Sequence, residues 1–243
     1  LSLRGIDNRS YYRLDPADPR RYLDYTGCGN SLNMRHPHTL RLIMDSLRYW
    51  RLDMHVDGFR FDLASIFTRR ADGSIDLTDP PLISAIRADP TLRDVRLIAE
   101  AWDLGSYQLG RAFPGTYWTQ WNGAFRDDVR GFVSGDAGKI PSLMRRLYGS
   151  DDLFPDTLAE SYRPYQGVNY ITSHDGFTLY DLVAYNRKHN EANGHRNRDG
   201  SDHNLSWNCG WEGDSGVPDD VMALRRKQAK NLIAILMLSN GVP

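Results

Sequence analysis

Three short stretches of this chain each run through apolar residues and stop at an acid. The first is Val56-Asp57-Gly58-Phe59-Arg60-Phe61-Asp62, the second Val95-Arg96-Leu97-Ile98-Ala99-Glu100, and the third Val168-Asn169-Tyr170-Ile171-Thr172-Ser173-His174-Asp175. On a strand, residues two apart share a face, so Arg60 and Asp62 point the same way. Taken alone, this pair reads equally as a structural ion pair or as a carboxylate held ionised by a guanidinium. A single acid after a strand is weak evidence, because Asp commonly caps a following helix. Asp175-Gly176 by itself reads equally as a turn. Three acids converging on one rim are hard to explain by capping, because like charges repel and a fold tolerates that for function.

Glycoside hydrolysis uses such a set. One carboxylate attacks the anomeric carbon and one carboxylic acid protonates the leaving oxygen. Asp62, beside Arg60, suits the nucleophile. Glu100 follows Leu97-Ile98-Ala99 and precedes Trp102, a drier setting that raises a carboxyl pKa and suits the acid. Asp175 and His174 would hold sugar hydroxyls near the reacting carbon.

The elements that must position these residues can be read along the chain. Residues 1–34 are rich in turn formers and are expected to form a long loop. Pro37 opens a helix whose apolar face is Leu40, Ile43, Met44, Leu47 and Trp50. A strand is expected over 55–63, a short helix over 80–88, a second strand over 95–99 and a third near 117–121. Helices are expected from about 125 to 132 and from 140 to 148, then a loop over 150–166. A fourth strand over 168–173 precedes a helix at about 177–187. Residues 188–216 form a polar loop insertion. The last helix, about 218–239, begins with Pro218, Asp219 and Asp220 and ends at Asn240-Gly241. Buried strands alternating with helices predict an α/β fold with a parallel sheet. In a parallel βα barrel the active site lies at the carboxyl ends of the strands.

Composition excludes several classes. The 243 residues carry a formal net charge of -1, so no basic excess points to nucleic acid or to an anionic membrane. The longest apolar run, Leu232 to Leu238, falls far short of the roughly 20 residues of a membrane span. Cys28 and Cys209 make neither a disulfide framework nor a zinc site, and reduced thiols in a cytoplasmic protein are the simpler reading. His195 to Ser206 loosely matches a calcium loop but fails at its first and last positions, so no metal is expected. No organic cofactor is expected either. No Gly-rich loop joins a strand to a helix, which argues against a nucleotide-binding α/β protein.

The same stretches carry a resemblance. Val56 to Asp62, Ile98-Ala99-Glu100-Ala101-Trp102 and Thr172-Ser173-His174-Asp175-Gly176 resemble three of the four signature regions of the α-amylase family of glycosidases (glycoside hydrolase family 13). Gly27-Cys28-Gly29-Asn30, Asp45 to Trp50, Trp121-Asn122-Gly123, Tyr180-Asp181-Leu182-Val183, Asn208-Cys209-Gly210 and Leu238 to Pro243 are similar to its isoamylase and glycogen-debranching branch. The resemblance implies a retaining mechanism in a (β/α)8 TIM barrel. It makes Asp62 the nucleophile, Glu100 the general acid/base and Asp175 the stabiliser of the transition state, with Arg60 and His174 in support. The reacting carboxyls should then lie about 5–5.5 Å apart. Trp102, Trp118 and Trp121 are candidate stacking residues for sugar, against a core-packing reading of each. The substrate implied is a branched α-glucan, glycogen or a limit dextrin, cleaved at α-1,6 links.

The first family signature and the last barrel strand are not in the sequence. Residues 1–243 are therefore expected to be part of a catalytic domain, about strands 4 to 7, with little activity alone. The alternatives are an α-1,4-acting or glucan-transferring member of the family, and a non-catalytic glucan-binding relative.

Overall fold

The computed structural model describes residues 3–155, 157 and 163–243. It divides into two compact units, Leu1–Trp121 and Asn122–Pro243.

The first unit is α/β with a parallel sheet. Helix α1 (Arg4–Tyr11) lies in the stretch expected to be loop, and is broken by a non-helical Asp7. Turns and bends fill most of the rest up to α2. Helix α2 (Pro37–Leu52) starts where Pro37 predicts, with the His36 ring accepting the His38 amide. Its Met44 and Leu47 are buried, whereas Trp50, expected on the same face, is exposed.

Strand β1 (Gly58–Phe61) is shorter than the expected 55–63. His55 and Leu63 both adopt positive φ, which an extended strand excludes, and so bound it on either side. Helix α3 (Pro81–Ala88) leads to β2 (Arg96–Ala99). The short hairpin β3 (Trp102–Asp103) and β4 (Ser106–Tyr107) follows, then β5 (Thr119–Trp121).

β2 lies between β1 and β5, parallel to both, with Phe61 opposite Ala99 and Ala99 opposite Gln120. The β1–β2 approach is close at its start. A Cβ on Gly58 would stand 2.6 Å from the Arg96 carbonyl oxygen, so glycine alone fits there. Met44, Leu47, Ile83, Ile86, Leu97 and Trp118 form the centre of the core behind the sheet.

In the second unit, α4 (Gly123–Ser134) is capped by Asn122, whose side chain accepts the Phe125 amide, and ends at Gly135 with φ 91°. Helix α5 is Ile140–Leu147 and α7 is Asp219–Leu238. The expected loop over 150–166 falls partly outside the described residues; Pro164–Gln166 within it forms a 3-10 turn.

The expected strand over 168–173 is reduced to β6 (Gly167–Val168), which bridges Val242 in parallel. Beyond it the Arg130 guanidinium takes the Ile171 carbonyl at 2.8 Å, where a neighbouring strand would have donated. The helix expected over 177–187 is only α6 (Asp181–Ala184). Glu212 accepts the amides of Asn186 (2.8 Å) and Arg187 (3.3 Å), holding the chain out of a further helical turn. Phe125, Val129, Ile171, Val183 and Leu232 lie in this unit's core. Among the described residues no helix is long and apolar enough to cross a membrane.

Candidate active site

The first unit places Asp62 one residue beyond β1 and Glu100 one residue beyond β2, so the parallel register sets their acids side by side. Glu100 is 4% exposed. The Asp62 side chain is 73% exposed. Arg60, on β1, lies between them. Its Nη1 donates to Asp62 Oδ1 at 2.7 Å, and its Nη2 stands 3.0 Å from Glu100 Oε2. The second contact meets the distance of an ion pair without the alignment of a hydrogen bond. The guanidinium also lies over the Trp121 ring, 4.6 Å from its centroid.

Glu100 is further held by the backbone. Leu63 sits at φ 43°, and its amide donates to Glu100 Oε2 at 2.9 Å. The Glu100 carboxyl titrates above its ordinary value. Burial is the main cause; the Leu63 amide and Arg60 oppose it, while the charge and hydrogen bond of Asp62 reinforce it. The arrangement separates two carboxyls chemically: one dry, its pKa raised by burial, one solvent-facing beside a fixed cation.

The other expected residues are placed unequally. Trp102 is stacked on Tyr107 across the β3–β4 hairpin, ring centroids 5.9 Å apart. Trp118 is fully buried against Phe61 and Phe113, so it is a core residue and not a sugar platform. His174 and Asp175 belong to the second unit. There they stand on an exposed turn, His174 Nε2 lying 3.5 Å from Asp175 Oδ2. Ser173 Oγ accepts the Asp175 amide at 3.2 Å. The turn needs Gly176, with φ 74°, because a Cβ there would meet Asn204 Oδ1 at 2.7 Å.

Two features escape a reading of single stretches. One is the reach of Arg60 to Glu100, which depends on the β1–β2 register. The other is a buried pair behind the site, in which Arg69 Nη2 and Nε reach Asp103 at 2.6 and 3.0 Å. Among the described residues no group of three His, Cys, Asp or Glu side chains could hold a metal ion.

No family model matches the chain. Over its whole length it is 53% identical to the glycogen operon protein GlgX homolog of Mycobacterium tuberculosis, covering 33% of that protein. It is likewise 48% identical to isoamylase 3, chloroplastic, of rice (Oryza sativa subsp. japonica), covering 30%. Along its whole length the chain is similar to isoamylases and glycogen debranching enzymes. It spans about a third of the length of these curated relatives. In structure it matches a pullulanase from Anoxybacillus sp. LM18-11, solved in complex with maltotetraose, with a TM-score of 0.63 and 26% identity. That match covers 100% of this chain and 31% of the pullulanase. Asp62, Glu100 and Asp175 thus lie in a chain that resembles such enzymes along its entire length.

Proposed function

We propose that the protein containing this chain is a retaining glycoside hydrolase that cleaves α-1,6 branch links of glycogen or a related α-glucan. One observation carries the reading: a buried Glu100, whose pKa burial raises, beside an exposed Asp62, with Arg60 bridging them. The names of the relatives favour debranching over α-1,4 cleavage or transfer. The presence of all three acids argues against a non-catalytic glucan binder.

In this reading Glu100 gives its proton to the glycosidic oxygen as Asp62 attacks the anomeric carbon. A covalent glycosyl-enzyme results, and the branch leaves as a free chain. Glu100, now a carboxylate, takes a proton from water as that water displaces Asp62. Arg60 holds the developing charges, while Asp175 and His174 bind hydroxyls of the reacting glucose. Trp121, already under Arg60, and Trp102, stacked on Tyr107, are the proposed aromatic contacts for neighbouring sugars.

The parallel strands β1, β2 and β5, with β6, are read as strands 4 to 7 of a (β/α)8 barrel, and residues 1–243 as part of that catalytic domain. Both cysteines are unpaired, which fits a reducing compartment such as the cytoplasm.

The test is release of reducing ends from a branched α-1,6 glucan and from a linear α-1,4 glucan. The full-length protein, its Asp62→Ala and Glu100→Gln variants, and the 243-residue chain are compared. Release from the branched glucan by the full-length protein, lost in both variants and weak or absent in the short chain, is the expected pattern. Preference for the linear glucan would overturn the linkage, and near-normal turnover in either variant would overturn the roles.

A further inference from the structure

A buried cation lies beneath the turn that carries Asp175, wholly within the second unit. Arg130, on α4, is 6% exposed. Its Nε donates to the Ile171 carbonyl at 2.8 Å, and its Nη2 donates to the same oxygen. Its Nη1 donates to the Asn204 carbonyl at 3.1 Å. Every hydrogen bond of this guanidinium to a described residue ends on one of these two neutral carbonyls. Asp127 acts on it electrostatically but is itself bound to Arg126 at 2.6 Å. Burial draws the Arg130 pKa down to about 10, so it is still a cation at neutral pH.

The two carbonyls lead to the two ends of the turn. Ile171 is buried and stands just before the Thr172-Ser173-His174-Asp175 run. Asn204 is buried too, and comes from the polar insertion. Its Oδ1 accepts the Phe177 amide at 3.1 Å, just beyond Asp175 and Gly176. Its Nδ2 donates to the Ser201 carbonyl at 2.7 Å. Arg130 therefore holds the entrance of the turn directly and the exit through Asn204. The Asp175 side chain is 75% exposed, so the backbone under it sets where it stands.

A buried guanidinium that faces carbonyls in place of a carboxylate is a costly choice. An apolar side chain of similar length would fill the space without that desolvation. What it could not do is join two acceptors in a fixed plane, and neither could a lysine ammonium. The return on the buried charge is the geometry of the turn.

We propose that Arg130 and Asn204 are positioning residues for Asp175, a clamp on both ends of the turn that carries the third acid. The role of Asp175 in this proposal rests on the glycosidase reading; the clamp rests on the hydrogen bonds alone.

The experiment uses the full-length protein with two readouts: hydrolysis of a branched α-glucan, and hydrogen exchange of residues 172–178. Arg130→Met, Arg130→Lys and Asn204→Ala should each lower kcat about tenfold to a hundredfold, the size of a misplacement of about 1 Å. KM should stay within about twofold of the parent. Asn204→Asp keeps the acceptor for the Phe177 amide and should recover most of kcat. In an Asp175→Ala background Arg130→Met should lower the residual rate less than about twofold, because it acts through the acid already removed. Exchange over 172–178 should accelerate in the three variants and stay parental in α7. The Asn204 variants keep the test open if those of Arg130 fail to fold. Exchange that accelerates equally in α7, or a full loss of rate in the Asp175→Ala background, would overturn positioning in favour of general loosening. Faster exchange over 172–178 with kcat unchanged would also overturn it. A parent that hydrolyses branched glucan while neither kcat nor exchange moves in any variant would overturn the clamp and leave the glycosidase standing. A parent that does not hydrolyse, yet shows faster exchange over 172–178 in the variants, would keep the clamp and overturn the glycosidase.

Discussion

The backbone amide of Leu63 donates to Glu100 Oε2 at 2.9 Å, from a residue turned into the left-handed region at φ 43°. Leu is an unfavourable residue for that conformation. The strain is compensated by a charge-capable hydrogen bond to a buried carboxyl. The same turn ends β1 and starts the 3-10 segment Ala64–Thr68, so the backbone that stops the strand also orients the acid.

The first prediction concerns pH. Burial lifts Glu100 above its ordinary carboxyl range, more than Leu63 and Arg60 lower it. A general acid must hold its proton, so kcat/KM of the full-length protein should fall as pH rises through the raised Glu100 value. Glu100→Gln should lower kcat by about 10²–10⁴ and remove that alkaline limb. Stability carries the same sign. The folded state binds this proton more tightly than the unfolded chain, so the contribution is full below the unfolded value and is lost as pH rises through the folded one. An alkaline limb that persists in Glu100→Gln would assign it to another group.

Much of this arrangement is legible in the sequence, and its limits are physical. The i, i+2 spacing of Arg60 and Asp62 predicts their contact. The apolar run before Glu100 predicts its dry setting, and Pro37, Asp219 and Asp220 mark helix starts that the structure keeps. Each of these is a local signal. The reach of Arg60 to Glu100 is not local, because it exists only once Phe61 pairs with Ala99. Likewise the ends of β6 and α6 are decided by distant side chains, Arg130 and Glu212, that capture the backbone groups a longer element would use. Trp118 reads as a rim aromatic by its neighbours Gly115 and Asn122, but Phe61 and Phe113 enclose it.

A second prediction follows from the buried pair behind the site. Asp103 receives two hydrogen bonds from Arg69, whose guanidinium also faces the Tyr25 ring at 4.4 Å. Asp103→Ala would leave a buried cation without its partner, and should destabilise the protein by about 3–5 kcal/mol. A paired Arg69→Met, Asp103→Leu replacement should recover most of that. Urea denaturation of the single and double variants checks it, and a single variant as stable as the parent would remove the pair from the core.

The third prediction concerns the loop insertion. Glu212 accepts from Asn186 and Arg187 amides, His189 and Asn208, and its pKa is lowered from 4.5 to about 2. Burial opposes that shift as the largest single influence, and the hydrogen bonds together outweigh it. A lowered folded value means stability that is full above the unfolded value and is lost as pH falls from about 4.5 toward about 2. The side chain is 36% exposed, so solvent screening holds the gain to about 1 kcal/mol. Hydrogen exchange at residues 186–190 should accelerate over that pH window, and should already be fast in Glu212→Gln at neutral pH. Equal exchange in parent and variant would show that the loop is held elsewhere.

The last prediction isolates Arg60. Its guanidinium forks between Asp62 and Glu100 while its plane rests on Trp121, a combination that a lysine ammonium cannot reproduce. Arg60→Lys should keep the charge but lose the fork, and with it positioning of both carboxyls. A fall in kcat of about 10²-fold is expected, of the size that misplacing reacting groups by about 1 Å produces. Arg60→Met removes the charge as well. Arg60 pulls the Glu100 pKa down, so without it Glu100 should hold its proton to higher pH. The alkaline limb of the residual activity should move upward in Arg60→Met and stay near its parental position in Arg60→Lys. The opposite order, or an unmoved limb in both, would mean that Arg60 acts on substrate alone and not through Glu100.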